Sequence, residues 1–429
     1  MAEAGAVEDA RRPEPTGGWL FAFCLSRVGF GFIFTTYSGA LSLLRLDWHM
    51  TAGEAGLIQS AWHIGYLISL FTVGFLADRF GARRVYVRTG IAASVSALAF
   101  AVFADSFWSG FLLYGLTGLC SGGSYTPGLA ILSQRYAAKG RGRAMGYYLA
   151  ASSLGYAVSL ALTSALLPYL GWRGAFLVTA CGPAVGTLMS FWVLRDTPNV
   201  IAPAAAEPAR GGSLVAVIRN RPAMLAMTAY MFHSWELLGM WAWMPAYLAA
   251  AAAHGGSVTA RSVSLGAIFS ALTYLTSMGG SIAGGTLSDR FGRTAVILWM
   301  SLGSLACSFA FGWMVGLPLW LLVAMGIVYN FTAIGDSAVY STALTELVPP
   351  RLVGAAYSLR SVMGFGMGAV SPWVFGLMLD WGRSGGAPSE RLAWGMAWSS
   401  LAAGALLGPL MTLRLRRLPE SAHLAGGRR

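Results

Sequence analysis

Charged side chains are scarce in this chain of 429 residues. Lysine, arginine, aspartate and glutamate together make up 11% of it, whereas hydrophobic residues make up 56%. A water-soluble fold needs a polar exterior, and this composition does not provide one. The scarcity of charge excludes a soluble globular domain and favours a chain that crosses a membrane many times.

Cysteine is scarce too, and its placement carries no motif. The four cysteines lie in apolar segments without C-x-x-C spacing. We therefore expect neither a disulfide framework nor a metal site. The sequence also lacks a phosphate-binding Walker loop and a recognisable nucleophile–base arrangement. An ATP-driven pump, an enzyme and a bound cofactor are accordingly not expected.

The chain is instead rich in long apolar runs. A helix needs about 20 apolar residues to cross a bilayer, and runs that are apolar on every side favour helices over a barrel. Twelve spans are predicted, with the limits 18–42, 54–77, 84–104, 108–134, 144–168, 172–194, 222–250, 264–288, 294–314, 317–345, 353–379 and 392–413.

The basic residues are distributed unevenly about these spans. Most of the 29 lysines and arginines fall on one side, together with both termini. Five fall on the other side: Arg45, Arg173, Arg261, Arg383 and Arg391. Basic residues concentrate on the cytoplasmic side of membrane proteins, which accounts for the net charge of +12 without invoking nucleic-acid binding. The same bias predicts that both termini are cytoplasmic. Abundant arginine, glycine and alanine favour a bacterial inner membrane.

One cassette occurs twice, half a chain apart. Gly74-Phe-Leu-Ala-Asp-Arg-Phe-Gly81 returns as Gly285-Thr-Leu-Ser-Asp-Arg-Phe-Gly292, each at the end of an apolar run. Such duplication is typical of transporters built from repeated halves. The predicted segments are an N-terminal tail (1–17), two six-helix halves (18–194 and 222–413), a cytoplasmic linker (195–221) and a basic C-terminal tail (414–429).

With these two turns among twelve predicted spans, the sequence resembles the major facilitator superfamily over nearly its whole length. Members carry a Gly-x-x-x-Asp-Arg-x-Gly-Arg-Lys type turn between spans 2 and 3, and a weaker copy between spans 8 and 9. The resemblance implies two pseudo-symmetric halves that rock around a central site, usually in a monomer. It also implies a gating latch formed by Gly74, Asp78, Arg79, Gly81, Arg83 and Arg84, and by Gly285, Asp289, Arg290, Gly292 and Arg293.

The latch has a physical interpretation. Gly74 would let its helix approach another closely. Asp78 would face the partial positive charge at the N-terminus of span 11. The arginines would hold the facing half, or they would only set the topology. Residues 154–158 lack the Gly-Pro motif of drug–proton antiporters in this superfamily, which disfavours that subclass.

Two arginines are predicted inside the membrane. Arg27 lies near the middle of span 1, and Arg360 lies in span 11. A charge at this depth costs at least ~2.5 kcal/mol, so it is a functional candidate. Paired N–H donors make arginine suited to gripping a carboxylate or another oxyanion. The alternative is a structural ion pair, formed with Glu236 by Arg27 or with Asp336 by Arg360.

Three further ionisable groups are candidates for proton coupling or an ion pair. They are Glu236 and His233, three residues apart on one helix face, and Asp336 in span 10. His63 is either a cavity ligand or a hydrogen-bonded packing residue. The aromatic side chains of Tyr125, Tyr230 and Trp235 are candidates for lining the substrate site.

The sequence thus predicts an all-α secondary active transporter. We expect it to move a small, anionic solute across the inner membrane by alternating access, through proton symport or anion exchange. Its partners would be the solute, a proton or counter-anion, and the lipid bilayer. One alternative is an efflux pump for amphipathic or cationic compounds, held by Glu236 and Asp336. Another is a sensor or receptor with a transporter fold and no flux.

Overall fold

The first half of the chain is a series of long helices. The computed structural model describes residues 15–136, 138–201, 210–253, 255–384 and 389–427. The helices of the first half are α1 (Gly17–Asp47), α2 (Ala52–Phe80), α3 (Ala82–Phe103), α4 (Phe107–Ser121), α5 (Thr126–Arg135) and α6 (Ala138–Val193).

The short helix α7 (Arg210–Arg219) lies within the predicted linker, and the second half then repeats the pattern of the first. Its helices are α8 (Arg221–Ala252), α9 (Ala260–Phe291), α10 (Arg293–Phe311), α11 (Leu319–Gly335), α12 (Ser337–Leu347), α13 (Val353–Ser384), α14 (Glu390–Ala405) and α15 (Leu407–Arg416). A 3₁₀ segment at Pro419–Gly426 ends the described chain.

The helical membrane fold is confirmed, while the number of twelve spans stays a prediction. Nine helices in the described ranges are long and apolar enough to cross a bilayer. One predicted span is divided into α4 and α5 by a 3₁₀ turn at Gly122–Ser124. Two others lie within α6, which turns sharply at Gly171 (φ 62°).

Polar caps fix where several helices begin. The Thr51 hydroxyl accepts a hydrogen bond from the backbone N–H of Glu54, and the Glu54 carboxylate accepts one from the Thr51 N–H, forming a capping box at the start of α2. Thr259 and Ser262 form the corresponding pair at the start of α9. These contacts satisfy backbone donors that a helix N-terminus leaves unpaired.

Small residues bring α1 and α6 into direct contact within the first half. A Cβ added at Gly29 would lie 2.6 Å from the Gly182 carbonyl oxygen, and one added at Gly31 would lie 3.0 Å from the Cα of Gly155. Only glycine permits this approach, which is typical of packing between membrane helices. The contact fixes Arg27, on the same helix, relative to α6.

The two halves meet at one end of the molecule, called here the closed end. A Cβ at Gly56 of α2 would lie 2.2 Å from the Pro372 carbonyl oxygen of α13. The hydroxyls of Ser164 (α6) and Ser264 (α9) lie 3.0 Å apart. A large buried cluster containing aromatic residues of both halves, including Trp62 and Trp243, lies beneath this contact.

The opposite end, which carries the two repeated turns, is the open end. Within the part of the chain that the structure describes, nothing lies within 4 Å of a Cβ added at Gly74 or Gly285. Asp78 and Arg79 are exposed. The expected close approach at Gly74 is therefore not made in this conformation, because the two halves are separated here.

The connecting segment is held to both halves. Asn199 donates to the Phe80 carbonyl oxygen (2.8 Å) and accepts from the Arg84 backbone N–H (3.0 Å). Asn220 caps α8 and donates to the Leu347 carbonyl oxygen (3.0 Å). Residues 202–209 of the predicted linker, and most of the predicted tail 1–17, lie outside the described residues.

Candidate transport site

Arg27 is buried in the first half without an acidic partner. Its side chain lies in the middle of α1, and the residue is 6% exposed. The Nε atom donates to the Ser152 hydroxyl of α6 at 2.7 Å, and a terminal nitrogen donates to the Ser124 hydroxyl. The Tyr148 ring lies 5.6 Å from the guanidinium carbon. Among the described residues, Arg27 makes no salt bridge, so the alternative of an ion pair with Glu236 is not formed.

Arg360 occupies a comparable position in the second half. It donates to the Ser341 hydroxyl of α12 at 2.5 Å. Its guanidinium carbon lies 4.2 Å from the centre of the Tyr230 ring and 5.0 Å from that of Tyr357. The Nε atom has no hydrogen-bond partner among the described residues. Aromatic faces stabilise a cation without neutralising it, so the charge stays available to an anion.

Tyr125 lies beside the buried arginine of the first half. It is placed where the chain leaves the 3₁₀ turn between α4 and α5. The Arg27 guanidinium carbon lies 5.9 Å from its ring centre. The break in this helix therefore brings a tyrosine ring close to Arg27.

An aromatic layer separates these arginines from the closed end. Tyr66 contacts Phe365 across the halves, with ring centres 5.2 Å apart. Trp241 lies 6.0 Å from Tyr156 and 6.2 Å from Phe34 of the other half. The layer closes the space between the halves on the side of the closed end.

Asp336 is paired with histidine and not with Arg360. The Nδ1 atom of His233 lies 2.8 Å from a carboxylate oxygen of Asp336, and both side chains are almost fully buried. Asp336 lies at the break between α11 and α12, which points its carboxylate toward α8. The alternative of an ion pair between Asp336 and Arg360, which the sequence left open, is not formed among the described residues. The Tyr230 ring stacks on His233 at 5.4 Å and also underlies Arg360.

Glu236 lies in a separate polar pocket of the second half. It is 4% exposed and accepts a hydrogen bond from the Ser304 hydroxyl at 3.0 Å. Its other oxygen has no hydrogen-bond partner in the described chain. Tyr329 interacts with Glu236 and donates to Ser308. Hydroxyl groups, not cations, surround this carboxyl.

Two predicted site residues serve packing in this structure. His63 is buried, and its Nδ1 lies 2.9 Å from the Gln59 carbonyl oxygen, one turn back on its own helix. Trp235 donates to the Leu401 carbonyl oxygen of α14 at 3.2 Å, and a Cβ added at Gly404 would lie 2.4 Å from its indole nitrogen. Trp235 therefore packs against α14 and does not line the space between the halves.

The two repeated turns share a backbone conformation. Gly81 and Gly292 both adopt positive φ (87° and 95°), which side chains disfavour and glycine accepts. At this open end Asp78 is exposed, so its expected contact with the start of span 11 is not part of this conformation.

The side chains around the turns differ between the copies. In the first copy Arg83 donates to the Thr197 carbonyl oxygen at 3.0 Å. In the second copy Arg293 is buried and bridges Asp289 (2.5 Å) and Glu346 (2.9 Å). Arg290 lies 5.1 Å from the Phe291 ring centre. Among the described residues, an ion-pair network thus holds the second turn and not the first.

Sequence reasoning missed residues that support the site. Serine hydroxyls accept hydrogen bonds from both arginines, and the carboxylate of an aspartate in α13 caps the start of α2. Single serines, and an aspartate near a helix end, have no spacing that distinguishes them in the sequence. The missed residues are Ser124, Ser152, Ser341, Ser304, Tyr329, Asn199 and Asp380.

The long apolar helices define a membrane protein, and each of its two halves carries an arginine within the membrane-spanning region. Comparison with known proteins gives the family. The sequence model of the Major Facilitator Superfamily matches residues 23–372, so the chain belongs to that superfamily. It is therefore a multi-pass membrane transporter and not an enzyme.

Curated relatives cover most of the chain at low identity. A "Probable 4-methylmuconolactone transporter" of Cupriavidus pinatubonensis is 26% identical, covering 77% of each chain. A "Probable sulfoacetate transporter SauU" of Cupriavidus necator is 25% identical, over 88% of this chain and 90% of the relative. The "Cis,cis-muconate transport protein" of Acinetobacter baylyi is 25% identical, over 86% and 88%.

Solved structures share the fold. A bacterial homologue of the human lysosomal transporter Spinster, solved in an inward-facing and unoccupied conformation, superimposes with a TM-score of 0.74. The match covers 94% of this chain and 98% of that one at 16% identity. At this identity the likeness concerns the fold alone.

Proposed function

We propose that this transporter carries a small organic anion, bound between Arg27 and Arg360. The observation that carries the proposal is that each half contributes one arginine held by hydroxyls and aromatic rings, without a salt bridge to a described carboxylate. An anion between them would receive charge-assisted hydrogen bonds from both halves. The names of the three relatives support the same class of solute.

The arrangement suits alternating access. The open end carries the basic turns, so positive-inside reasoning assigns it to the cytoplasm. An anion that contacts both halves would favour closure of the open end, since its attraction to each arginine is strongest when the halves approach. Closure would bring Gly74, Asp78 and Gly285 toward the facing half, which is the latch function expected for them.

Proton coupling is assigned to the Asp336–His233 pair in preference to Glu236. Tyr230 contacts both His233 and Arg360. Binding of an anion at Arg360 would therefore affect the Asp336–His233 pair through the Tyr230 ring. Glu236 faces Ser304 and Tyr329 and has no comparable connection to an arginine. Proton symport is therefore the proposed mode, with anion exchange as the alternative.

The testing experiment is counterflow in reconstituted vesicles with a panel of mono- and dicarboxylates and sulfonates. We expect one class of organic anion to exchange in the wild type, and exchange to be lost in Arg27→Ala and Arg360→Ala. The matched control is Arg173→Ala, which removes an exposed arginine at the closed end. This variant should exchange the anion at the wild-type rate.

Each alternative function has its own outcome in this assay. Exchange of amphipathic cations, unaffected by loss of either arginine, would contradict the proposal and favour efflux. Anion binding that raises the melting temperature without any counterflow would favour a sensor. Unchanged anion exchange in both arginine variants would remove Arg27 and Arg360 from the site.

A further inference from the structure

A cavity lined in part by arginines lies on the surface of the first half, near its repeated turn. A cavity of about 450 Å³ opens between α3 and the end of α6, near the first repeated turn. Its lining includes Arg83, Arg84 and Arg88 of α3, together with Asn199. None of these arginines forms a salt bridge with a described carboxylate. The surface that these residues present to the cavity is almost wholly apolar, so the arginines line it through their side-chain carbons. Their three positive charges favour an anionic group beside it.

The cavity also offers an apolar surface. Ile91 of α3 and Phe191 of α6 line it, and they are 45% and 52% exposed. Ile91 lies further along α3 from the open end than the arginines do, whereas Phe191 lies in the last turn of α6. A ligand that fills the cavity would therefore place its charge among the arginines and its apolar part against these two side chains.

The corresponding place in the second half lacks these features. The repeat offset that relates Gly81 to Gly292 places Thr294, Ala295 and Trp299 where the first half has Arg83, Arg84 and Arg88. Thr294 instead accepts a hydrogen bond from Arg416. The basic cavity is therefore a property of one half and not a requirement of the repeated turn.

We propose that this cavity binds the headgroup of an anionic phospholipid from the basic leaflet. The phosphate would contact the guanidinium groups, and an acyl chain would lie along Ile91 and Phe191. A soluble phosphate would use only the first of these contacts, whereas a lipid uses both. Basic residues near an anionic leaflet each contribute about 1 kcal/mol of attraction.

The location gives the lipid a role in gating. Asn199 and the Arg84 backbone N–H are hydrogen-bonded to each other, and Asn199 also holds the Phe80 carbonyl oxygen. A bound headgroup would therefore contact the turn that closes the open end. This site is independent of the anion site between Arg27 and Arg360.

The test is retention of lipid by the purified full-length protein. The protein is equilibrated in vesicles of phosphatidylglycerol and phosphatidylcholine, extracted, and its bound lipids are counted by native mass spectrometry. We expect phosphatidylglycerol to be retained over phosphatidylcholine in the wild type. In Arg84→Gln/Arg88→Gln, apparent affinity should fall on the order of tenfold. Arg83 is left intact because it bonds Thr197.

Two control variants keep the result interpretable. Arg84→Lys/Arg88→Lys keeps the charge and should retain phosphatidylglycerol. Arg414→Gln/Arg417→Gln removes the same charge from exposed positions of the second half at the same end, and should also retain it. Equal melting temperatures in pure phosphatidylcholine would establish that the glutamine variant is folded.

Three outcomes would overturn the proposal. The first is unchanged retention in Arg84→Gln/Arg88→Gln. The second is an equal loss in Arg414→Gln/Arg417→Gln, which would indicate attraction by overall charge. The third is displacement of the lipid by inorganic phosphate at millimolar concentration, which would assign the cavity to a soluble anion.

Discussion

The carboxylate of Asp380, near the end of α13, accepts a hydrogen bond from the backbone N–H of Ala52 at 2.9 Å, at the start of α2. Its second oxygen accepts from the Gly53 N–H at 2.7 Å. An acidic side chain of one half thus caps a helix of the other, where the helix dipole favours negative charge. This contact belongs to the closed end and has to break when that end opens.

Replacing Asp380 should weaken the closed end. Asp380→Asn keeps the shape but removes the charge, and hydrogen bonds to charged groups contribute about 1.5–3 kcal/mol. We expect the closed end to open about tenfold more often. The measurement is disulfide formation between Ser164→Cys and Ser264→Cys, whose hydroxyls lie 3.0 Å apart across the halves.

A matched substitution checks that the effect is local to this contact. Asp105 lies in the turn between α3 and α4 and bonds Ser106 and Ser109, within one half. Asp105→Asn should leave the rate of disulfide formation unchanged. An equal slowing in both variants would contradict the assignment of Asp380 to the contact between halves.

Two glycines on α2 should have opposite effects when enlarged. Gly74 faces empty space at the open end, so Gly74→Leu should fold normally and then obstruct closure there. Gly56 touches the Pro372 carbonyl oxygen, so Gly56→Leu should force the closed end apart. The same cysteine pair should cross-link faster in Gly74→Leu and more slowly in Gly56→Leu. Identical cross-linking in both variants would contradict this mechanism.

Arginine, and not merely a positive charge, should be required at position 27. Lysine cannot reproduce the fork of donors with which Arg27 engages Ser152 and Ser124 while keeping donors for an anion. We expect Arg27→Lys to weaken anion binding about 10- to 100-fold, the equivalent of one charge-assisted hydrogen bond. Isothermal titration calorimetry with the anion identified by counterflow measures the dissociation constant. Wild-type affinity in Arg27→Lys would exclude two parallel hydrogen bonds from Arg27 to the anion.

Substitutions of the two buried acids, Asp336 and Glu236, should have different effects on proton-coupled uptake. Asp336→Asn should abolish stimulation of uptake by an inward proton gradient while leaving anion counterflow intact, because exchange needs no net proton movement. Glu236→Gln should keep the stimulation. The reverse pattern would transfer the coupling role from Asp336 to Glu236, and stimulation that survives in both single variants would exclude each of them.

The network around the second repeated turn should contribute to stability. Arg293 is buried and bonded to Glu346, and breaking a buried pair by removing one partner costs about 3–5 kcal/mol. Glu346 is partly exposed and Arg293 keeps its contact with Asp289, so a smaller loss of about 1.5–3 kcal/mol is expected for Glu346→Ala. A fall in melting temperature measures it, and Glu420→Ala, at an exposed position of the C-terminal segment, should have little effect.

The fold was largely predictable from the sequence, because apolar length and the repeated turn are local signals. Arg27 and Arg360 were found for the same reason, since a charge inside an apolar run is conspicuous. Their partners were not predictable. Whether Asp336 faces His233 or Arg360 depends on how α11 breaks and rotates, which helical spacing alone does not specify. Asp380 was missed because its partner is backbone on a helix far away in the chain.

The two asparagines at the ends of the predicted linker have a mechanical consequence. Asn199 is fastened to the first half through Phe80, and Asn220 to the second half through Leu347. Each end of the connection would therefore move with its own half if the halves rock. The turns that end at Phe80 and Leu347 would stay wound during such a movement, because each is hydrogen-bonded to the asparagine of its own half.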